Sequence, residues 1–385
     1  MNIIILNTNS FGGNYEYSRC LAEAYIANAA VEKCTVVIPS NAAQEENNIF
    51  KKILISDVSN VQLKLYKKIY FLFRSFLNPF RILAFLKKQP PSIVIFNDYE
   101  QITSFIWVPF FRRLKNKHSF IVILHDPDRD KYLPITSWSA CTMKKVMSIM
   151  DMALYHEVLP DKPYYKTAIP KINVPHGLYE HSTVAYDLLN QLINKKSGRR
   201  IMGVIGNIRD EKNYSLLIDC LPDLPNVVLL IAGSASNSSV SIASYKTQIE
   251  KLQVQHQLIW IEKRLTDAEM QAIIEACDLI ALYYKHSFTS QSGLLNLIAP
   301  HKKKLIVSDG QSALTKVVQQ FNLGDVVPID KKALIDAVTN TIFTDITEQQ
   351  LHQWNSYLEY ASWENHVRIV IENVNALKNH KTERL

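Results

Sequence analysis

Short aliphatic and β-branched runs punctuate the first half of the chain: IIILNT (3–8), CTVVIPS (34–40), SIVIFND (92–98), FIVILHD (120–126) and DMALYHE (151–157). Between them lie longer segments whose apolar positions recur at helical spacing, such as YEYSRCLAEAYIAN (15–28). Strand alternating with helix predicts a parallel α/β layer. A less regular stretch near 160–197 follows, and then the rhythm restarts with RIMGVIGN (200–207), NVVLLIAGS (226–234), LIWIEK (258–263), DLIALYY (278–284) and KLIVSDG (304–310), each followed by a helical segment. This predicts a second sheet of the same kind. The serine cluster in GSASNSSVSIAS (233–244) reads as a loop leading into a helix. The segment 347–379 reads as helix carrying Trp354, Trp363 and Val367, too long to serve only its neighbouring strand.

Length and composition narrow the class. A chain of 385 residues is too long for one ordinary core and fits two domains. With 47% apolar and 21% charged residues it is neither disordered nor collagen-like nor a coiled coil. No run approaches the length of a spanning helix and MNIIILNTNS lacks a basic n-region, so neither a membrane span nor a secretion signal is expected and the chain is read as cytoplasmic. Cys20, Cys34, Cys141, Cys220 and Cys277 are scattered, form no C-x-x-C pair and read as reduced core residues. Charge is uneven: residues 1–196 carry 24 Lys and Arg against 16 Asp and Glu, residues 197–385 carry 19 against 20. An excess of +8 confined to the first half points to an anionic surface met by that half, phospholipid or nucleic acid.

Most of the ten glycines fall at or just beyond predicted strand ends: Gly12 and Gly13, Gly206, Gly233 and Gly310, with Gly293 opening the segment after DLIALYY. Open parallel sheets form ligand crevices there, because glycine admits close backbone approach and the next helix offers unpaired N–H groups. Ordinary turn chemistry explains any one of these glycines; only the joint pattern argues for a site. Neither G-x-G-x-x-G nor G-x-x-x-x-G-K-[ST] occurs, which disfavours nicotinamide dehydrogenases and P-loop NTPases.

In order along about 180 residues, VIGNIRDEKNYSLLIDCL (204–221) and CDLIALYYKHSFTSQSGLLNLIAPHKKKLIVSDGQSALTKVV (277–318), with VPHGLYE (174–180) before them and SWENH (362–366) after, the second half resembles the donor-binding half of GT-B glycosyltransferases of group 1, the mostly retaining family 4. The resemblance implies an α/β protein of two Rossmann-like domains, parallel sheets facing a cleft, with a C-terminal helix crossing back to the first domain. It implies a nucleotide-sugar donor whose pyrophosphate is gripped by Arg209 and Lys212 beside Gly206 and Gly233. It also implies backbone donors at Ser292, Gly293 and Leu294. Two glutamates of the family pattern are Thr289 and Leu297 here, a glycine is Lys302, a proline is Lys304, and an arginine is Asn207.

The chemistry supports the same residues. A diphosphate leaving group needs fixed positive charge and N–H donors, which Arg209, Lys212 and the amides at 292–294 supply without a metal. Cations at the start of a helix oppose its dipole, so an anion beside Arg209 and Lys212 explains them better than a solvated helix end. In the first half His125 and Asp126 end a strand; the histidine could meet the sugar or move a proton, the aspartate could act as base on an acceptor hydroxyl, and a buried hydrogen-bonded histidine is the equal alternative. Gly12 and Gly13 offer an acceptor or phosphate loop. HDPDRD places Asp126, Asp128 and Asp130 at calcium-loop spacing, but Lys131 and Ser137 occupy the glycine and glutamate positions, so an EF-hand fails. An Asp-x-Asp metal site leaves the second sheet unexplained.

The stretch 63–88 holds seven Lys or Arg and no acidic residue. Tyr66, Ile69, Phe73, Phe76 and Phe80 recur at helical spacing, Lys67, Arg74, Arg81 and Lys88 every seven residues, and Asn78-Pro79 is expected to split it into two helices. It reads either as a basic amphipathic face for anionic membrane, with Lys67, Lys68, Arg74 and Arg81 facing the headgroups, or as a core-packed helix with a basic rim. No nucleic-acid module accompanies the charge, so nucleic acid is not an expected partner.

The expected organisation is an acceptor-binding domain over 1–196, a donor-binding domain over 197–346 and a returning helix over 347–385. The expected activity is metal-independent transfer of a sugar from a nucleotide sugar to a glycan or lipid-linked acceptor of a surface polysaccharide or glycoconjugate. It needs no cofactor beyond that co-substrate and takes place at the inner membrane face. A non-catalytic nucleotide-sugar or glycan-binding protein of the same fold is the alternative.

Overall fold

The computed structural model describes residues 1–58, 64–130, 132–179, 183–235 and 242–382, so residues 236–241 of the serine cluster, Leu63, Glu180 and Lys131 lie outside the described residues. The chain divides into two units, Met1–Gly177 together with Ser362–Leu385, and Leu178–Ala361.

In the first unit the strands are β1 (Asn2–Leu6), β2 (Lys33–Pro39), β3 (Phe50–Leu54), β4 (Ile93–Phe96), β5 (Ser119–Leu124), β6 (Met152–Tyr155) and β7 (Lys171–Asn173). They form one sheet in the order β3-β2-β1-β4-β5-β6-β7, and every pairing is parallel. The two-residue period of a strand divides its apolar residues between two cores. Ile4, Leu6, Val94, Phe96, Val122 and Leu124 face helices Ser104–Arg112 and Thr136–Met147. Ile3, Ile5, Ile93, Ile95, Ile121 and Ile123 face helix Gly13–Ala27 and the C-terminal helix Trp363–Thr382. Both faces are covered, which is why these strands read as unbroken apolar runs.

The second unit repeats the plan with β8 (Arg200–Ile205), β9 (Val227–Gly233), β10 (Leu258–Glu262), β11 (Leu279–Leu282), β12 (Lys304–Ser308) and β13 (Asp325–Val327). Their order is β10-β9-β8-β11-β12-β13, again all parallel. Helix Tyr186–Lys196, inside the first domain as read from the sequence, packs Leu192 into a core of this second unit. The long final helix is two helices. Glu348–Tyr360 puts Trp354 and Tyr357 in the second unit's core; Trp363–Thr382 puts Val367, Val370, Ile371 and Val374 in the first unit's core. Ser362 marks the new start, its Oγ accepting the Asn365 N–H at 3.2 Å.

Three expectations about the basic stretch change. It is one helix, Lys64–Lys88, running through Pro79. The proline frees the Ser75 carbonyl four residues back, and the Thr103 hydroxyl donates to that carbonyl at 2.7 Å, so the bond lost to Pro79 is replaced from a neighbouring segment. Arg74 does not face outward: it is buried, donates to the Thr8 carbonyl and lies 3.7 Å from the Glu100 carboxylate. Arg81 is exposed, but its Nε donates to the Ile53 carbonyl. By length and composition Tyr66–Lys88 is apolar enough to cross a membrane, against the sequence reading. Its inner face is nevertheless held in the unit by Ile82, Leu83 and Leu86, and by Asn78, whose Oδ1 accepts the Ile55 N–H at 2.9 Å. Cys141 is exposed, not a core residue, while the other four cysteines are buried and all five are free thiols.

Gly177 shows why one glycine of the VPHG segment is needed. Its φ is +88°, and a Cβ added there would meet the Trp363 ring at 2.4 Å. Gly12, at φ +86°, would meet nothing within 4 Å. Gly12, with ψ −175°, lies in an extended positive-φ region nearly closed to other residues, so Gly12→Ala carries a backbone penalty of about 1–3 kcal/mol; Gly177→Ala adds a collision with Trp363 and is expected to cost more. Denaturant unfolding of the two variants checks the order; equal losses would show that Trp363 yields freely.

Candidate functional site

Side chains with chemistry collect at the carboxyl ends of the first sheet's adjacent strands. Asn97 follows β4, His125 and Asp126 follow β5, His156 follows β6 and His176 follows β7. Asn97 Nδ2 donates to the Asn14 carbonyl at 3.0 Å and to Ser18 Oγ at 2.8 Å, so its Oδ1 is the acceptor facing His125 Nε2 at 2.7 Å. His125 thus carries its proton on Nε2. His156 Nδ1 donates to the Val174 carbonyl at 3.0 Å. His366, from the C-terminal helix, donates through Nδ1 to the Pro175 carbonyl at 2.8 Å. The Tyr17 ring packs edge-on against His125 at 4.5 Å and His176 at 5.2 Å. Burial holds all four imidazoles neutral: it pushes His156 down to about 4 and His176 and His366 to about 3. His125 falls well below its usual range, through burial and then the neighbouring His156 and His176.

Asp126 is exposed. Asp128 and Asp130, the rest of the acidic triplet, are drawn instead to Lys162, whose Nζ lies 3.2 Å and 2.5 Å from their carboxylates. Gly12 ends the loop after β1 and opens helix Gly13–Ala27 without a side-chain cap.

In the second unit the turn after β8 is built by two glycines. Gly206 has φ +86°, and Gly233, at the end of β9, leaves room for the Gly206 carbonyl, which a Cβ at 233 would meet at 2.2 Å. Lys212 reaches under this turn: it is 5% exposed and its ammonium donates to the Ile205 carbonyl. Among the described residues no carboxylate lies within ion-pair distance of it. Burial, then repulsion from Arg209, pushes its pKa from 10.5 to about 7. Arg209 is part-exposed, 3.6 Å from the Glu211 carboxylate. Ser292, Gly293 and Leu294 open helix Gly293–Ile298, with the Tyr284 hydroxyl 3.2 Å from Ser292 Oγ. Thr289 lends its carbonyl to the Ala313 N–H at 3.1 Å, and Leu297 packs on the core.

In the second unit Gly206 lies against Gly233 and beside Lys212, and Arg209 is near enough to Lys212 to help lower its pKa. The sequence reading passed over Tyr17, His156, His176 and His366 as site residues. The signal was present as one histidine just beyond each of three consecutive strands, but β7 is three residues long and was not read as a strand.

Residues 188–286, which include Gly206, Arg209, Lys212 and Gly233, match the family described as glycosyl transferases group 1. A comparison with curated proteins found no match. Among solved structures the chain is similar to sucrose-phosphate synthase from Thermosynechococcus elongatus, at a TM-score of 0.70 and 14% identity over 99% of both chains. It is also similar to an α,α-trehalose-phosphate synthase (UDP-forming) from Burkholderia vietnamiensis, at 0.65 and 12% over 99% of this chain and 98% of that one. HepE of Anabaena, in complex with UDP and glucose, matches at 0.67 and 12% over 98% and 100%. The protein has the GT-B fold, and its residues 188–286 match the model of the group 1 glycosyl transferases.

Proposed function

We propose that this protein transfers a sugar from a nucleoside-diphosphate sugar to a glycan or lipid-linked acceptor. The observation that carries the reading is Lys212. A buried amine without a carboxylate partner is unstable as a cation and becomes stable as one when an anion arrives. The diphosphate of a nucleotide sugar is such an anion, Arg209 adds a second charge, and the amides at Ser292, Gly293 and Leu294 accompany them. No metal is needed to neutralise the leaving group in this scheme. That HepE is seen with UDP and UDP-glucose supports uridine diphosphate as the first probe.

Lys212 links binding to protons. Its folded value of about 7 lies below the ordinary 10.5, so between those pH values the free protein holds the neutral amine and the diphosphate-bound protein the ammonium. Binding is expected to take up about one proton near pH ~8.5 and little below pH ~6. Calorimetry of UDP binding in buffers of different ionisation enthalpy reads this directly. Lys212→Ala should abolish the uptake, and either Lys212→Ala or Arg209→Ala should weaken UDP by about 1.5–3 kcal/mol. Unchanged affinity in the double variant sinks the donor assignment.

For the chemical step the candidates are Asp126, an exposed carboxylate fit to serve as base on an acceptor hydroxyl, and the neutral His125 beside it. His125→Ala and Asp126→Asn are expected to lower kcat more than donor affinity. Wild-type turnover in both returns these residues to a structural role. UDP binding with no turnover of any donor favours the non-catalytic binding protein.

The acceptor side is read from an exposed apolar face. Tyr66, Ile69, Leu72, Phe73 and Phe76 lie open on helix Lys64–Lys88, and Phe105, Ile106 and Phe110 lie open on helix Ser104–Arg112 beside it. Phe80 joins the two helices, 5.5 Å from Phe110. Lys67, Lys68, Arg113 and Lys145 edge the face, the last two over the rings of Phe110 and Phe105. Aromatic surface with a basic rim suits the headgroup zone of an anionic membrane, peripheral at its cytoplasmic side. Co-sedimentation with phosphatidylserine vesicles is expected, weakening with salt as charges are screened over about 8 Å. Phe73→Ser with Phe76→Ser, and Lys67→Gln with Lys68→Gln, should each reduce it. Binding that ignores lipid charge and both pairs makes a soluble acceptor the better reading.

A further inference from the structure

His125, His156 and His176 each contribute one ring nitrogen to a group whose atoms all lie within 4.8 Å of one another. Their ring centroids are 4.9 to 6.2 Å apart. The topology explains the convergence, because β5, β6 and β7 are neighbours in that order and each carries its histidine just past its carboxyl end. The outer hydrogen bonds fix the tautomers. His125 gives its Nε2 proton to Asn97 and keeps a lone pair on Nδ1; His156 gives its Nδ1 proton to the Val174 carbonyl and keeps a lone pair on Nε2. His176 Nδ1 lies 3.4 Å from the Gly177 carbonyl. His156 Nε2 is buried and has no hydrogen-bond partner among the described residues. A buried lone pair without a donor is a cost that the fold would otherwise remove.

We propose that these three histidines form a binding site for a divalent transition metal ion of the zinc class. Imidazole nitrogens suit zinc, and the carbonyl and amide oxygens behind the rings are the outer partners that orient metal-bound histidines. Tetrahedral zinc with bonds of about 2.0–2.1 Å sets its nitrogens about 3.3 Å apart, so ring rotation must draw the widest pair in. Three protein ligands leave a fourth position for water or an oxygen ligand. All of them belong to the first unit, and the inference does not rest on sugar transfer, because its readout is bound metal.

The test strips the full-length protein with a chelator, reloads it with zinc, removes excess by gel filtration and counts metal per chain by mass spectrometry. One zinc per wild-type chain is expected, together with a rise in melting temperature on reloading and visible d–d bands of tetrahedral type when cobalt replaces zinc. His156→Gln and His176→Gln should each lower zinc affinity at least tenfold. His301→Gln, at a histidine already held by Glu275 and Gln271 in the second unit, should leave it unchanged. Circular dichroism checks that the variants fold, and the cobalt spectrum of the wild type stands without them. No retained zinc and an octahedral cobalt spectrum in the wild type would overturn the site. So would equal zinc retention by the wild type and a folded His156→Gln, His176→Gln double variant.

Discussion

Parallel pairing is the constraint from which the rest of this chain follows. A strand that pairs parallel to its neighbour must be reached by a crossover, so all carboxyl ends of a sheet open on the same edge, and the loops leaving them carry the backbone and side-chain groups that the ladder does not use. In the first unit that edge gathers Asn97, His125, His156 and His176; in the second it gathers Gly206, Gly233 and Lys212. The apolar strands behind them are buried on both faces, which makes those edges stiff platforms.

The two edges solve burial of polar groups in opposite ways. The first unit buries imidazoles that can shed charge, and each of three is tied through one nitrogen to an oxygen acceptor. The second buries an amine whose ordinary pKa of 10.5 leaves it charged at neutral pH and which burial pushes down to about 7; among the described residues the acceptor found for it is a backbone carbonyl. On the two proposals above, the imidazole lone pairs take a Lewis acid and the buried amine an anion, which would make the two units sites for ligands of opposite sign.

What the sequence showed and what it hid follow from the same physics. Ten strand runs were legible: nine because burial on both faces makes them unbroken and apolar, and the edge strand β10 because LIWIE is apolar although only one of its residues is buried. β3, β7 and β13 were not: each lies at a sheet edge, and FKKIL, KIN and DVV are short or half polar. Gly206, Arg209 and Lys212 were legible because their spacing is local, within one loop. The histidine cluster joins residues up to 51 positions apart, His125 to His176, and becomes visible only once the order of β5, β6 and β7 is known. Arg74 misled because a heptad of basic residues looks like an exposed stripe, whereas its partner Glu100 sits on another element.

The departures from the group 1 pattern sort into two kinds. Lys302 takes φ +48°, the left-handed conformation that a glycine would hold more cheaply, by about 1 kcal/mol. Lys304 stands where the pattern has a proline and turns its ammonium on the Thr341, Ile342 and Thr344 carbonyls at the end of helix Lys331–Ile342, where a cation is favoured. Both positions keep the fold by other means. Thr289 and Leu297 keep no carboxylate: one serves through its backbone carbonyl and the other through packing. Under the sugar-transfer reading, contacts that two carboxylates would make to donor hydroxyls are missing from those positions. Donor affinity must then rest more heavily on the diphosphate, and so on the buried charge of Lys212.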